Sequence, residues 1–549
     1  MKRLLSILLF ITLSFLLFAQ APEWLWAESA GGNNYDGGSG ISTDGDGNVY
    51  VTGNFSGTAS FGSFNLTSSG SSDIFVAKMD ANGNWLWVEN AGGSSDDCGF
   101  GISTDVDGNV YITGYFDYSA NFGSFNLTSN GAYDIFVAKM DPNGNWLWAE
   151  SAGGSDLEYG IAICTDSNGN VYVTGIFEGT ASFGSFDLPS NGDDDIFVAK
   201  MDPNGNWLWA KNAGGSEYDG GSGISTDADG NLYVTGSFRG TGSFGSFNLT
   251  SSGDHDIFVA KMDPNGNWLW VEGAGGSYGD IGKAINTDAD GNVYVTGYFD
   301  YLANFGSYNL TSNGVSDIFV AKMDPNGNWI WAKNAGGSEY DGGSGISTDI
   351  DENVYVSGYF HGTASFGSFN LTSSGERDIF VTKMDSNGNW IWAESAGGST
   401  YDNGFAISTD AEGNVYVTGY YRGIASFGSF NLTSSGNSDI FVAKIDNITS
   451  IEDEIITTIN VLTNYPNPFN PTTTISFSIH EESEVELSIY NIKGQKIKSL
   501  LNDQIPTGEH SIIWNGDDDF GNSVSSGVYL YKLNVNGKTE VVKKCLLLK

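Results

Sequence analysis

Cysteine, proline, histidine and positive charge are all scarce in this chain. Only three cysteines occur in 549 residues, Cys98, Cys164 and Cys545. An odd number at irregular spacing excludes a disulfide framework and a cysteine metal site. Of the four histidines, the two in the repeats, His255 and His361, sit at unrelated positions, so no Ser/His/Asp set or His/Cys cluster can be assembled there by spacing. Lys and Arg number 23 against 66 Asp and Glu, a net charge of −43. A surface this acidic repels phosphate backbones and anionic lipid, which argues against nucleic acid as a partner. It suits solubility, cation binding or contacts with cation-rich surfaces. The only long apolar run spans 4–19 and follows Lys2 and Arg3. A charged head with so short an apolar body predicts a signal peptide over 1–19, cleaved after Ala19, with an uncleaved anchor as the alternative. No transmembrane segment is expected in the mature chain.

What the chain has in excess is repetition. Trp-Leu/Ile-Trp begins at Trp24, Trp85, Trp146, Trp207, Trp268, Trp329 and Trp390, and Asp-Ile-Phe-Val begins at Asp73, Asp134, Asp195, Asp256, Asp317, Asp378 and Asp439. Each series steps by 61 residues with no insertion or deletion. The first Trp-x-Trp precedes any complete repeat, and the last Asp-Ile-Phe-Val, ending at Asp446, has none after it. The N-terminal strand is therefore the missing strand of the last repeat, as in a closed ring. The expectation is an all-β, seven-bladed β-propeller over 20–446, with four-stranded blades and the ring closed by the N-terminal strand. The 76 glycines suit dense tight turns, and the 14% of aromatic residues supplies faces for blade-on-blade packing.

Within one unit, four strands are predicted: Gly40–Asp44 near the axis, Asn48–Phe55, Asp73–Asp80 and Asn84–Glu89. A strand period of two predicts both tryptophans of the last strand on one face. The Thr-Asp-x-Asp-Gly-Asn and Asp-x-Asn-Gly-Asn-Trp segments read as hairpin turns. They lack the acid spacing of an EF-hand loop, Phe55 standing where its final Glu belongs. The remaining connections, after each Gly-Gly pair and over 56–72, are expected as long loops sharing one face. The recurrent Asn-Leu-Thr, as at Asn65, formally matches a glycosylation acceptor but reads more simply as a strand-edge or turn element.

The seven copies can be compared with one another. Positions identical in all, such as Asp44, Asp73, Lys78 and Asp80, most simply serve the fold. Variation concentrates in the long loops. There an acid recurs at Asp36, Asp97, Glu158, Asp219, Asp280, Asp341 and Asp402, and tyrosine precedes it at Tyr35, Tyr218, Tyr340 and Tyr401. A ring of carboxylates with aromatics suits a carbohydrate or a cation, calcium being the candidate cofactor. The alternative is that each acid caps its own loop by accepting backbone N–H groups. No catalytic residue can be named, since paired carboxylates are too abundant to mark a glycosidase site. The expected work is non-catalytic extracellular binding of a glycan or protein. A polysaccharide-active enzyme and a structural surface-layer protein are the alternatives.

After Asp446 the repeat stops, and a polar linker is expected over 447–463. Strand patterns then fill 464–549 and suggest a small Ig-like sandwich. This segment resembles the type A sorting domain of the type IX (Por) secretion system. The resemblance is carried by Asn464-Tyr-Pro-Asn-Pro-Phe-Asn-Pro471, Val485–Gln495, Ser526-Gly-Val-Tyr529 and Lys543–Lys549. It places the sorting signal on Pro466, Pro468, Pro471, Gly494, Gly527, Lys543, Lys544 and Lys549. It implies passage through the type IX machinery to the extracellular or outer-membrane surface, with release or attachment to surface lipopolysaccharide. The repeats resemble SBBP-type propeller repeats, through Gly-Asn-Val-Tyr-Val-Thr-Gly and Asp-Ile-Phe-Val-Ala-Lys-Met-Asp, which implies the fold and no activity.

Overall fold

Glycine-rich turns and alternating β-branched and aromatic residues leave no segment suited to a helix, and none occurs among the described residues. The computed structural model describes residues 22–447, 462–479, 483–491, 493, 495–535 and 538–548. The expected signal peptide, most of the linker, and Gly494 and Lys549 lie outside these. The chain divides into two compact units, one of which spans 21–447.

That unit is a propeller. Among the described residues it holds seven sheets built on four antiparallel strands, and a separate two-stranded sheet of Thr180–Phe183 and Phe186–Pro189. The first has strands Gly37–Thr43, Val49–Phe55, Asp73–Met79 and Trp85–Ala91, from the inside out. Innermost strands of successive sheets are neighbours, and the last, Asn403–Thr409, neighbours the first. The strand Trp24–Gly32 completes the sheet of Asn403–Thr409, with Trp24 opposite Ile445 and Ala30 opposite Ile440. The ring is thus closed by the N-terminal strand.

The core lies between sheets rather than within them. One cluster joins Tyr50, Ile74 and Val76 of one sheet to Val110, Ile112 and Phe136 of the next. The structure corrects the placement of the tryptophans. Trp85 packs toward the preceding sheet, edge-on to Phe61 at 5.3 Å, while Trp87 packs toward the following one. The reason is a bulge: Lys78 pairs with Trp87 but Met79 with Trp85, and the extra residue turns the two rings to opposite faces. Each outer strand thereby wedges one indole into both neighbouring interfaces.

The invariant residues tie adjacent blades together. Asp44 accepts the backbone N–H of Asp46 and Asn48 at 3.0 and 2.9 Å and the Tyr50 hydroxyl at 2.9 Å, so it is a turn residue. Lys78 lies 4.8 Å over the Tyr50 ring, and both Lys78 and Trp87 donate to the Pro142 carbonyl of the next blade, at 3.5 and 3.1 Å.

The segment 56–72, expected as a loop, contains a hairpin of Thr58–Phe61 and Phe64–Thr67. In four blades it fuses with the second and third strands, as in Val110–Phe122 and Phe125–Met140. Its first strand also pairs with the outer strand of the neighbouring blade, Gly32 opposite Ala59. Asn65 belongs to this hairpin and accepts the Ser60 hydroxyl at 2.7 Å.

The C-terminal unit has two antiparallel sheets. One holds Thr463–Tyr465, Thr473–Ile479 and Gly508–Trp514; the other holds Lys496–Ile505, Ser483–Asn491, Gly527–Val535 and Lys538–Leu547. They share a core that includes Phe477, Leu487, Trp514, Leu533 and the buried, unpaired Cys545.

Candidate functional site

The blade-to-blade loops deliver the recurrent acids into the protein rather than onto its surface. Asp36, Asp97, Glu158, Asp219, Asp280, Asp341 and Asp402 are each 2% exposed or less. Asp219 accepts the backbone N–H of Gly215 at 2.6 Å and of Arg239 at 2.9 Å. Equivalent pairs of bonds hold Asp36, Asp97, Asp280, Asp341 and Asp402. Glu158 keeps only the first, from Gly154 at 2.9 Å, its longer side chain carrying the other oxygen off the second donor. These contacts are loop caps that bind the incoming loop of one blade to its own second strand.

Each capping acid faces a second carboxylate, the first residue of an Asp-Ile-Phe-Val strand in the preceding blade. Around Gly214 the two meet: Asp195 Oδ1 and Asp219 Oδ2 lie 2.1 and 2.9 Å from where a Cβ would stand, and φ is +138°. Only glycine admits both the backbone conformation and the two carboxylates. One oxygen in such pairs lacks a hydrogen-bond partner, namely Oδ1 of Asp134, Asp195, Asp256, Asp317, Asp378 and Asp439, and Oε1 of Glu158. Burial pushes the carboxyls up, with the neighbouring charge adding to it in several pairs. Asp36, Asp219 and Asp341 reach about 6, Asp97, Asp195, Asp280 and Asp402 about 7, and Glu158 about 8.

These shifts set a pH dependence. Each group holds its proton more tightly folded than unfolded, so unfolding releases protons. The burial penalty is absent below the ordinary value of 3.8 for aspartate, grows with pH, and levels off above about 8. The thermal midpoint is therefore expected to fall by a few degrees between pH 5 and pH 8. High salt leaves this change in place, because buried pairs are little screened. A midpoint that is flat or rises over that interval in high salt contradicts the arrangement.

The tyrosines stay outside. Tyr35, Tyr218, Tyr340 and Tyr401 are between 43% and 57% exposed, and Tyr118, Tyr278 and Tyr301 join them. Arg422 lies 5.8 and 6.0 Å from the Tyr35 and Tyr401 rings, linking two loops into one patch. Tyr278 packs against Tyr301, the rings tilted by 50° with centroids 4.6 Å apart.

Inside the tyrosines lies an axial cavity of about 200 Å³. The innermost strands line it in tiers, beginning at the loop end with Ser39, Phe100, Ile161, Ser222, Lys283, Ser344 and Phe405. A ring of isoleucines, Ile41, Ile102, Ile163, Ile224, Ile285, Ile346 and Ile407, forms the apolar tier. Beyond it, Ser/Thr bonds between adjacent strands tie the far end, as Ser42 to Thr104 at 3.0 Å and Thr43 to Ser408 at 3.1 Å. Lys283 breaks the pattern of the first tier. Its side chain is exposed at the mouth of the cavity, where the crowding of neighbouring residues lowers its pKa by desolvation. The loops drew attention away from this tier. The residue directly after each Gly-Gly or equivalent pair that opens the innermost strand sets it apart in the sequence.

Among the described residues no group of three or more His, Cys, Asp or Glu side chains is arranged to hold a metal ion. No helix among them is long and apolar enough to cross a membrane.

In the C-terminal unit the proline-rich segment meets the last strand. Asn467 accepts the Leu546 N–H at 2.9 Å, and Phe469 exchanges backbone bonds of 2.9 Å with Leu546 and Leu548. The proline-rich segment thus docks on the last strand, leaving Pro466, Pro468, Pro471, Lys543 and Lys544 exposed. Gly527 starts the adjoining strand. Residues 463–547 match the secretion system C-terminal sorting domain. The sorting domain marks the chain for type IX export to the extracellular or outer-membrane surface.

The chain is also similar to a WD repeat-containing protein, L264, of Acanthamoeba polyphaga mimivirus, with 26% identity over 500 residues, covering 72% of this chain and 36% of that protein. It is also similar to the regulatory protein FlaEY of Caulobacter vibrioides, with 27% identity over 374 residues, covering 63% of this chain and 37% of FlaEY. It therefore spans little more than a third of these curated relatives. Among solved structures, PorZ, a surface component of the type IX secretion system of Porphyromonas gingivalis, matches 94% of this chain and 59% of its own at 15% identity, with a TM-score of 0.36.

Proposed function

We propose that the chain is a non-catalytic binding protein, a seven-bladed propeller of SBBP type that presents the tyrosine-bearing loop face to a glycan or protein outside the cell. A signal peptide over 1–19 starts its export and the sorting domain completes it, with release or lipopolysaccharide attachment to follow. The observation that carries the reading is the set of exposed tyrosines around an axial cavity. Side chains of this kind stack on sugars and anchor protein contacts at low entropic cost. The recurrent acids support the face from beneath, by fixing the loops, and calcium has no site among them of the usual many-oxygen kind. Paired carboxylates with raised pKa values resemble an acid/base couple, but at 2% exposure or less the capping acids are out of reach of a polymer.

Replacing Tyr218, Tyr340 and Tyr401 together by Ala in the full chain is expected to weaken ligand binding at least tenfold, by calorimetry, and to leave the melting temperature unchanged. Unchanged affinity would remove the aromatic part of the reading.

A further inference from the structure

The axial tier holds one cation in a unit of strongly negative charge. Lys283 has no carboxylate within ion-pair distance among the described residues, and its nearest aromatic face is Tyr298 at 5.9 Å. In ring order it stands between Ser222 and Ser344, with Phe100 and Phe405 elsewhere in the same tier. The hydroxyls of Ser39, Ser222 and Ser344 have no protein partner among the described residues. Lys283 is exposed to the cavity it lines, and its ammonium, unpaired by any carboxylate, is the one fixed positive charge that the tier offers to an anion.

We propose that Lys283, with Ser222 and Ser344, makes the axial cavity a site for one carboxylate-bearing sugar unit, a uronate residue. This rests on the glycan form of the proposed function. One ammonium neutralises one charge, and the acidic surroundings oppose a dianion, which favours a carboxylate over a phosphate monoester. The serines supply partners for sugar hydroxyls, and the phenylalanine faces suit the C–H face of a pyranose. The volume of about 200 Å³ is below the roughly 300–1,000 Å³ of drug-sized sites, so it takes a single ring, such as a chain end.

The test titrates the full chain with glucuronate, glucose and acetate by calorimetry and saturation-transfer NMR, in wild type, K283S and K283M. Serine already stands at three of the seven equivalent positions, so K283S is expected to fold, and K283M keeps the side-chain length. Glucuronate binding that falls at least tenfold in both variants, with glucose and acetate each bound at least tenfold more weakly by the wild type, supports the site. No glucuronate binding, equal affinity in the variants, or acetate bound as well as glucuronate overturns it. Glycan binding that needs the tyrosines but survives K283S overturns the lysine site and leaves the binding face standing. Lysine-dependent glucuronate binding untouched by the tyrosine substitutions supports the lysine site and removes the tyrosine face.

Discussion

Removal of residues 22–32 is expected to abolish cooperative folding of the propeller unit. The strand Trp24–Gly32 is the outer strand of the last sheet, joined to Asp439–Ile445. Without it that strand presents an open edge at the point where the ring must close. Trp24 is 6% exposed and stands edge-on to Phe427 at 5.1 Å; Trp26 donates to the Ala81 carbonyl at 3.1 Å. Loss of the buried Trp24 indole costs about 3–5 kcal/mol, and the half-buried Trp26 adds to that, against a typical domain stability of about 5–15 kcal/mol. Far-UV dichroism with denaturant should show a broad transition at low denaturant and aggregation on standing. A deletion variant that unfolds as sharply and as late as the intact chain contradicts a closed ring. The single variant W24A should lose about 3–5 kcal/mol while remaining folded.

Deletion of residues 463–549 is expected to remove the protein from the cell surface and leave it in the periplasm. The sorting domain depends on the dock between its proline-rich segment and its last strand, held by Asn467 and Phe469. Phe469 is 2% exposed and lies 5.3 Å from Trp514. F469A should therefore loosen that surface and lower delivery several-fold, while leaving the propeller's melting transition in place. Fractionation and surface proteolysis of cells carrying each variant give the readout. Normal surface delivery after the full deletion would remove the sorting role.

Most of the fold was legible because the repeat is strict. The unpaired Trp-x-Trp at Trp24 implied ring closure before any coordinates, and the Asx-Gly turns after Asp44 and Asp80 could be placed by their chemistry. Four features were not legible, each for a local reason. The bulge that parts Trp85 from Trp87 leaves no mark in a three-residue motif, and a strict period of two puts both rings on one face. The hairpin at 58–67 is short and rich in Ser, Gly and Asn, so its composition reads as loop, although alternate residues such as Ala59 and Phe61 are buried. The acids of the loop ring read from the sequence either as a ligand-binding ring or as loop caps, and nothing in the sequence alone decides between the two. Their burial follows from N–H donors, such as Gly215 and Arg239, that only the folded ladder brings to them. Lys283 is hidden by its place in an innermost strand, away from the loops where the copies vary most.

The most direct measurement is a glycan array probed with the full-length protein, with and without calcium, beside the variant lacking Tyr218, Tyr340 and Tyr401. The account predicts selective binding by the wild type, strongest for acidic glycans, and its loss in the variant. A blank array in both conditions, or binding that the variant retains in full, would contradict a carbohydrate-binding role for the loop face.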